Sequence, residues 1–415
     1  MPRWLSGAEG AALSHPPFRR FFASALVSMP GNWMQITAQA WLVLEVHNSP
    51  MALAWVTTLQ FMPILLFTLI GGALADRVAR RPLLIAAQLV GAVQTLCLGL
   101  LLVTGHFSLG YLYGLAVVLG LVNAIDGPLR QAVIADLVPR AALANGMSLG
   151  ALAQNLGRVI GPGLAGLVIA FLDVPAAFFM NGATYLISAA TLLSIRGAKA
   201  GAPGLAPRVG LIAATREGLG YALRSHTMRF VLVVTAFIGI FGQNFTTMIP
   251  LVASYLINAS PAEFGLLNSS LGAGSLCAIF VLARAGEPTA PRILMAGLVF
   301  GILLLAIAQT TELVVSCALF AVVGAAAVVF STSVQTALQM VSPVQLRGRV
   351  ASMVTFLIVG TSPIGAMLTG GIAEHLSVSA AISFNGLCCL IGVGCAVWIA
   401  LGRQVRFEAE QTAAE

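Results

Sequence analysis

The chain contains 415 residues, of which 59% are hydrophobic and 8% are charged. Soluble domains carry roughly 25% charged residues, so this composition excludes a soluble globule, and its low polarity excludes an intrinsically disordered chain. The 21 lysines and arginines exceed the 14 acidic residues, giving a net charge of +7, and the composition as a whole indicates a polytopic helical membrane protein.

Apolar runs recur along the chain, and each is long enough to cross a bilayer as a helix, which takes about 20 residues. The first run is predicted to be a retained span rather than a cleaved signal peptide, because it is too long and no small-residue cleavage site precedes the next run. The twelve predicted spans are 20–44, 51–75, 82–103, 109–134, 146–171, 175–195, 229–256, 263–283, 292–309, 313–340, 350–373 and 378–401.

Basic residues are distributed unevenly around these spans. Every lysine and arginine other than Arg130 and Arg158 falls on one side of the twelve-span topology, whereas the opposite loops contain acidic residues and histidines but no lysine or arginine. The positive-inside rule therefore places both termini and the 196–228 segment in the cytoplasm. We expect a multi-pass protein of the bacterial cytoplasmic (inner) membrane.

The two halves of the chain resemble each other. The segment 174–187 matches the segment 378–391 at an offset of 204 residues. A repeat of this length predicts two six-helix bundles of the same orientation, with a binding site between them near the membrane midplane. The predicted domains are an N-terminal bundle (1–195), a cytoplasmic linker (196–228) and a C-terminal bundle with its tail (229–415).

A motif of small and charged residues follows the second predicted span. It resembles the signature G-x-L-a-D-R-x-G-R-[RK] of the major facilitator transporters, with Ala79 in place of the second glycine. The motif residues are Gly72, Asp76, Arg77, Arg80 and Arg81.

This motif is predicted to form a cytoplasmic gate. Asp76 is expected to accept hydrogen bonds from the start of a partner helix near Arg347 and Arg349, and the family resemblance implies that this contact latches an outward-facing state. Asp136, at the end of the fourth span, is expected to bind Arg80 or Arg81. A solvated, positively charged loop is the alternative interpretation.

Three charged residues lie inside predicted spans: Asp126 and Arg130 in the fourth, and Arg158 in the fifth. Asp126 and Arg130 are one helical turn apart, and counting residues from the turn between the two spans places Arg158 at a similar depth. A charge at the bilayer centre costs upward of about 2.5 kcal/mol, so it should be paired and face the protein interior or water. One interpretation is proton coupling, with Asp126 neutral in one state and paired with Arg130 or Arg158 in the other. The other is an ion cluster that only fixes helix packing.

The fifth span also carries a series of small residues, namely Gly157, Gly161, Pro162 and Gly166. They resemble the antiporter motif G-x8-G-x3-G-P-x2-G-G, with Ser148 and Ala165 at two of its glycine positions. Small residues let helices approach closely and bend, and a proline frees a backbone carbonyl. The resemblance implies export in exchange for protons, whereas ordinary small-residue packing is the structural alternative.

Polar and aromatic residues in the middle of several spans are candidates for lining a substrate cavity. Asn32, Gln35 and Gln39 recur at spacings of three and four residues and so form one stripe on a helix. Hydrogen bonding between helices is the alternative role for these amides, and is the role expected of the repeat-related Asn181 and Asn385. The full set of cavity candidates is Asn32, Trp33, Gln35, Gln39, Asn155, Gln243 and Asn244.

Taken over nearly its whole length, the chain resembles the enterobactin-exporter and macrolide-efflux branch of the major facilitator superfamily. The resemblance is carried by the motifs above together with 18–22, 31–34 and 346–350. It implies an all-α polytopic fold of twelve transmembrane helices in two six-helix bundles. The implied function is proton-coupled efflux of bulky organic compounds, drugs or a siderophore, by alternating access, and proton-coupled uptake of a small metabolite is the alternative.

An enzyme is a third possibility that the residues disfavour. All five histidines lie at span ends or in loops, and Asp126 is the one deep carboxylate, so an intramembrane acid–base pair is missing from the sequence pattern. The single lysine, Lys199, lies outside any Gly-rich phosphate loop. We therefore expect no catalytic residues, no metal and no cofactor, with a proton gradient as energy source. The expected partners are a small-molecule substrate and the lipid bilayer, not nucleic acid, and the protein is expected to be a monomer.

Overall fold

A computed structural model describes residues 11–77, 79–195, 225–282, 284, 286–342 and 356–402, and excludes the side chains of 68–77, 359 and 402. The described residues form twelve long helices and no strand. Each predicted span has its helix, with bounds that agree to within a few residues, except that residues 350–355 of the eleventh span and residue 283 of the eighth lie outside the described residues. The helices are α1 Pro16–His47, α2 Pro50–Arg77, α3 Arg80–Val103, α4 Leu109–Leu137, α5 Leu143–Phe171, α6 Val174–Ser194, α7 His226–Ile257, α8 Pro261–Leu282, α9 Ala290–Ile307, α10 Leu313–Val341, α11 Phe356–His375 and α12 Val378–Gly402.

Ten of these helices are long and apolar enough to cross a membrane by length and composition alone. The other two, α1 and α5, are long enough, with 32 and 29 residues. Their lower hydropathy comes from polar residues in mid-helix, among them Gln35 in α1 and Arg158 in α5. These two helices carry many of the predicted site residues.

The chain divides into two compact units. Unit 1 is Met1–Asn48, Trp55–Leu205 and Ala259–Ser269, and unit 2 is Ser49–Ala54, Ala206–Asn258 and Ser270–Glu415. Each unit thus consists mainly of one half of the chain and includes a short piece from the other half. Most of the predicted linker (196–228) lies outside the described residues, and helix α7 already begins at His226.

Repeat-related glycines make the same kind of contact in the two units. A methyl group added to Gly161 of α5 would lie 2.6 Å from the carbonyl oxygen of Pro30 in α1, so only glycine permits this approach. Gly365 of α11, its repeat partner, would collide in the same way with the carbonyl oxygen of Ile240 in α7. Helix α5 therefore packs on α1 as α11 packs on α7, which extends the sequence repeat to the helix packing.

A second pair of repeat-related glycines, Gly166 and Gly370, contacts the short pieces that each unit includes from the other half of the chain. In unit 1, Gly166 of α5 faces the first turn of α8, where an added methyl group would lie 2.5 Å from the carbonyl oxygen of Pro261. In unit 2, Gly370 of α11 faces the first turn of α2, with the carbonyl oxygen of Pro50 at 2.9 Å from such a methyl group. The Glu374 carboxylate also accepts hydrogen bonds there from the Ser49 hydroxyl (3.0 Å) and the Met51 amide (3.1 Å).

Helix α7 is interrupted near its midpoint. A π-helical turn, Ile238–Gly242, ends at Gln243 and Asn244, which lie outside helical geometry, before the helix resumes at Phe245. Asn244 is fully buried, donates to the Ile240 carbonyl (2.6 Å) and accepts from the Ser362 hydroxyl of α11 (3.0 Å). Its amide thus satisfies part of the backbone that the interruption leaves without helical partners.

We predict that the close approach of α2 and α4 depends on Gly120. An added methyl group there would collide with the backbone carbonyl of Gln60, whereas one on Gly114, six residues earlier in the same helix, meets nothing within 4 Å. Gly120→Ala should therefore destabilise the protein by about 1–3 kcal/mol, the cost of overpacking, while Gly114→Ala should be neutral or slightly stabilising. Thermal unfolding of the two detergent-purified variants compares them, and equal melting temperatures would contradict this packing.

Candidate functional site

The deep charges of α4 form an ion pair inside unit 1. Arg130 Nε donates to Asp126 Oδ2 at 2.6 Å, across one helical turn, and the two side chains are 10% and 15% exposed. The backbone spacing of four residues directs both side chains to the same face of α4. Each charge is thereby compensated at a depth where an isolated one is costly.

A glutamine from α3 completes this pair. The Gln88 amide donates to Asp126 Oδ1 at 2.5 Å, and its carbonyl oxygen accepts from Arg130 at 3.2 Å, so it bridges both partners. Arg130 also reaches the Ser28 hydroxyl of α1 at 3.5 Å. Both oxygens of the carboxylate are therefore occupied, and three helices converge on one charge pair.

Gln88 is absent from the set of site residues predicted from the sequence. It is fully buried and lies in the third span, whose other polar residues are Gln94 and Thr95. A buried amide needs hydrogen-bond partners, so the two glutamines of the third span, Gln88 and Gln94, are the signal by which the sequence could have indicated such a contact. The sequence does not reveal which helix supplies the partners.

The third deep charge, Arg158 of α5, lies elsewhere. Its guanidinium carbon sits over the ring of Trp33 in α1, 5.4 Å from the ring centroid, which is a cation–π contact. Its side chain is exposed, and it makes no ion pair or hydrogen bond with any residue that the structure describes. The structure thus pairs Asp126 with Arg130, and Arg158 stands apart from that pair.

The small residues of the predicted antiporter motif bring Arg158 to Trp33. A methyl group on Gly157 would lie 2.7 Å from the backbone carbonyl carbon of Met29, and one on Gly161 would lie 2.6 Å from Trp33 Cβ. Pro162 is buried within α5, and Gly166 packs on α8 as described above. The motif therefore acts here as a contact surface that seats α5 on α1, with Arg158 next to the aromatic ring.

The polar stripe of α1 is mostly engaged in hydrogen bonds between helices. Gln35 donates to Gln94 of α3 at 2.8 Å and accepts from Asn181 of α6 at 2.5 Å, and all three side chains are buried. Asn32 accepts from the Tyr185 hydroxyl at 3.2 Å. In the second half, buried Asn385 donates to Thr369 at 2.8 Å. For Gln35, as for Asn244, this corresponds to the structural alternative considered above.

The remaining cavity candidates differ from this group. Gln39 is 1% exposed, yet neither its amide nitrogen nor its oxygen has a hydrogen-bond partner among the described residues, and the same holds for the Gln243 amide nitrogen. Asn155, half-buried on α5, donates back to the Ala151 carbonyl at 2.9 Å. Among the cavity candidates, Gln39 and Gln243 therefore have buried amide atoms without a hydrogen-bond partner among the described residues.

At the cytoplasmic end predicted for unit 1, Asp136 of α4 binds Arg80 of α3 at 2.9 Å, with both side chains partly buried. Arg81 donates to the carbonyl oxygens of Leu192 and Leu193 at the end of α6 (2.8 and 2.9 Å). These residues line a cavity of about 550 Å³. The side chains of Gly72, Asp76 and Arg77, and the whole of Arg347 and Arg349, lie outside the described residues.

No group of three or more histidine, cysteine, aspartate or glutamate residues within the described ranges could hold a metal ion. The described residues form twelve long helices, the two units share repeat-related helix contacts, and unit 1 holds an ion pair within a membrane-length helix, an organisation typical of a membrane transporter of the major facilitator type. The chain belongs to the transmembrane secretion effector family (MFS_3), whose model matches residues 8–414. The fold class and the family resemblance predicted from the sequence are thereby confirmed.

Curated relatives are transporters of the same type. The chain is 25% identical over 267 residues to the staphyloferrin A transporter of Staphylococcus aureus (strain NCTC 8325 / PS 47), covering 64% of this chain and 66% of that one. It is 26% identical to the multidrug efflux pump Tap of Mycolicibacterium fortuitum, covering 88% and 91%. It is 23% identical to macrolide efflux protein A of Streptococcus pyogenes, covering 87% and 90%.

Solved structures agree on the fold. A bacterial homologue of the human lysosomal transporter Spinster, in an inward-facing and occupied conformation, matches with a TM-score of 0.73 at 14% identity, covering 95% of this chain and 99% of that one. The nucleoside transporter NupG matches with a TM-score of 0.72 at 13% identity, covering 93% and 98%. The family and its relatives are transporters, and the prediction that the protein is not an enzyme is confirmed on that basis.

We predict opposite effects for one substitution at two positions of α1. Gln35→Leu removes the partner of Gln94 and Asn181, and each buried group left unsatisfied costs about 1–3 kcal/mol. Gln39→Leu replaces an amide that has no partner among the described residues, so it should be neutral or stabilising. Melting temperatures of the two purified variants measure the difference. If Gln39→Leu destabilised the protein as much as Gln35→Leu, the assigned hydrogen-bond pattern would be wrong.

Proposed function

We propose that this protein is a proton-coupled exporter of bulky organic compounds, drugs or a siderophore, working by alternating access. It works in the bacterial cytoplasmic membrane as a monomer, with both termini and the 196–228 segment in the cytoplasm, and uses the proton gradient without any cofactor. It has no nucleic-acid partner. The observation that carries the coupling is the partly buried pair of Asp126 and Arg130, which a single proton can break.

The pair has two electrostatic states. With Asp126 ionised, its charge is balanced by Arg130 at 2.6 Å and its second oxygen is held by Gln88. A proton on Asp126 removes the negative charge, so Arg130 keeps only the neutral acceptors Gln88 and Ser28. The arginine then gains by moving to another acceptor or to water, because an uncompensated charge at this depth is costly. Proton binding is thereby linked to rearrangement of α1, α3 and α4.

The direction and substrates of transport are proposed from the relatives. Macrolide efflux protein A and the multidrug efflux pump Tap are named for efflux, and the chain matches both over most of its length. The staphyloferrin A transporter is named for a single compound. These relatives favour efflux of large organic compounds. The glycine-rich α5, which resembles the antiporter motif, supports export as well. Uptake of a small metabolite is the alternative.

The Arg80–Asp136 contact supports a gating role for the motif after α2. It joins the start of α3 to the end of α4, while Arg81 joins α3 to the end of α6. These contacts hold the ends of three helices of unit 1 together, so they can move as one body during alternating access. The latch between Asp76 and the Arg347–Arg349 region stays a prediction.

Replacing Asp126 with asparagine should abolish the dependence of transport on a pH gradient. Everted membrane vesicles with an acidic lumen should accumulate a macrolide when they carry the natural protein or Asp126→Glu, which retains the titrating group. They should lose this response with Asp126→Asn, since the amide cannot exchange a proton. The abundance of each variant in the membrane is measured in parallel.

Asp173→Asn is the matched control for the Asp126 experiment. Asp173 caps α6 by accepting from the Val174 amide at 3.1 Å, and asparagine is an equally good cap, so this variant should transport normally. Retention of the gradient response by Asp126→Asn would refute the coupling role. Gradient-driven movement of a macrolide out of the everted vesicles would favour uptake over export.

A further inference from the structure

The three charged residues within the predicted spans of unit 1 leave one positive charge without a compensating negative charge among the described residues. Asp126 and Arg130 neutralise each other, whereas Arg158 has no carboxylate partner among the described residues. A cation within a membrane-spanning helix must be compensated by an anion or by water. The side chain of Arg158 is exposed, so a ligand or water can reach it.

The contact with Trp33 leaves the hydrogen-bonding edge of Arg158 available. The Arg158 guanidinium carbon lies 5.4 Å from the Trp33 ring centroid, and none of the Arg158 N–H groups donates to a described residue. The five N–H donors lie in the plane of that group and form a fork that matches a carboxylate. The donors therefore need no rearrangement to receive an anion, and the aromatic ring limits the motion of the side chain.

The surroundings of Arg158 combine polar and apolar groups. Gln154, one turn earlier on α5, is exposed, and Asn155 is half-buried with its amide oxygen outside any hydrogen bond to a described residue. Trp33 is half-buried and lies beneath the guanidinium carbon. An anion bound here would meet a charged fork, neutral amides and a flat apolar surface.

We propose that Arg158 and Trp33 form a subsite that binds the organic anions among the transported compounds, those with a carboxylate next to a flat apolar group. The carboxylate takes the free edge of Arg158, and the apolar group lies against Trp33. This inference rests on the proposed export function and adds the substrate class. It also supplies the negative charge that the surplus cation lacks.

Matched naphthalene compounds test this assignment. 2-Naphthoate carries a carboxylate, 2-naphthamide is its neutral analogue and 2-naphthamidine is a cation of the same shape. Binding is measured by calorimetry with the purified full-length protein in phosphatidylcholine nanodiscs. The natural protein should bind 2-naphthoate about tenfold or more tightly than 2-naphthamide, as expected of hydrogen bonds between charged groups, and should bind 2-naphthamidine most weakly.

Variants at Arg158 and Trp33 measure the contributions of the charge and of the aromatic ring to binding separately. Arg158→Gln should reduce 2-naphthoate binding to the level of 2-naphthamide and leave 2-naphthamide within about twofold of its original affinity, since only the charged interaction is lost. Arg158→Lys should retain part of the preference, because it keeps the charge without the planar fork. Trp33→Leu should weaken both compounds, and Trp33→Phe should weaken them less. Arg229→Gln, the same change at an exposed position at the start of α7, should alter nothing.

Three results would overturn the inference. They are no binding of 2-naphthoate to the natural protein, an unchanged preference in Arg158→Gln, and displacement of 2-naphthoate when phosphatidylglycerol is added to the nanodiscs. The last result would assign the Arg158 edge to a lipid phosphate instead of a transported anion. If macrolide export by Arg158→Gln stays gradient-driven while no anion preference exists, the substrate class is wrong and the export function stands. Loss of gradient-driven transport in the natural protein would contradict the export function itself.

Discussion

The cost of placing charge inside a membrane constrains this protein more than any other interaction. The Asp126 carboxylate and the Arg130 guanidinium group meet that constraint by pairing at 2.6 Å, with Gln88 bridging them. Because the pair is held by residues of α1, α3 and α4, a change in its protonation cannot stay local. In the proposed mechanism, this partly buried ion pair connects the proton gradient to the packing of three helices, which is the physical requirement for coupled transport.

Helix packing in both units depends on glycine at positions where backbones meet. Gly161 seats α5 on α1, and Gly365 seats α11 on α7, in each case against a backbone carbonyl. In a bilayer, association of helices depends on close van der Waals contact, since the lipid is as apolar as the side chains. In α5 the same contacts bring Arg158 over Trp33. The residues that resemble an antiporter motif therefore serve packing and site geometry together.

Several features of the site followed from the sequence. Charged residues in apolar runs are rare and costly, so Asp126, Arg130 and Arg158 were recognisable, and the spacing of four residues made the first two partners on one helix face. Gln88 was missed, and Gln35 was proposed for a cavity although its amide joins α1 to α3 and α6. An amide in a span has the same sequence signature whether it faces a neighbouring helix or an open space.

Composition, the asymmetry of basic residues and the repeat determined by themselves that this chain is a membrane protein of twelve helices in two related halves. These properties depend on hydrophobicity and charge summed over long segments, which neighbouring helices do not alter. The tertiary structure decided which group each polar side chain meets: Arg130 for Asp126, the ring of Trp33 for Arg158, and helix α3 for Gln35. Periodicity gives the face and depth of a residue on its own helix, but the rotation and neighbours of that helix depend on packing against the others.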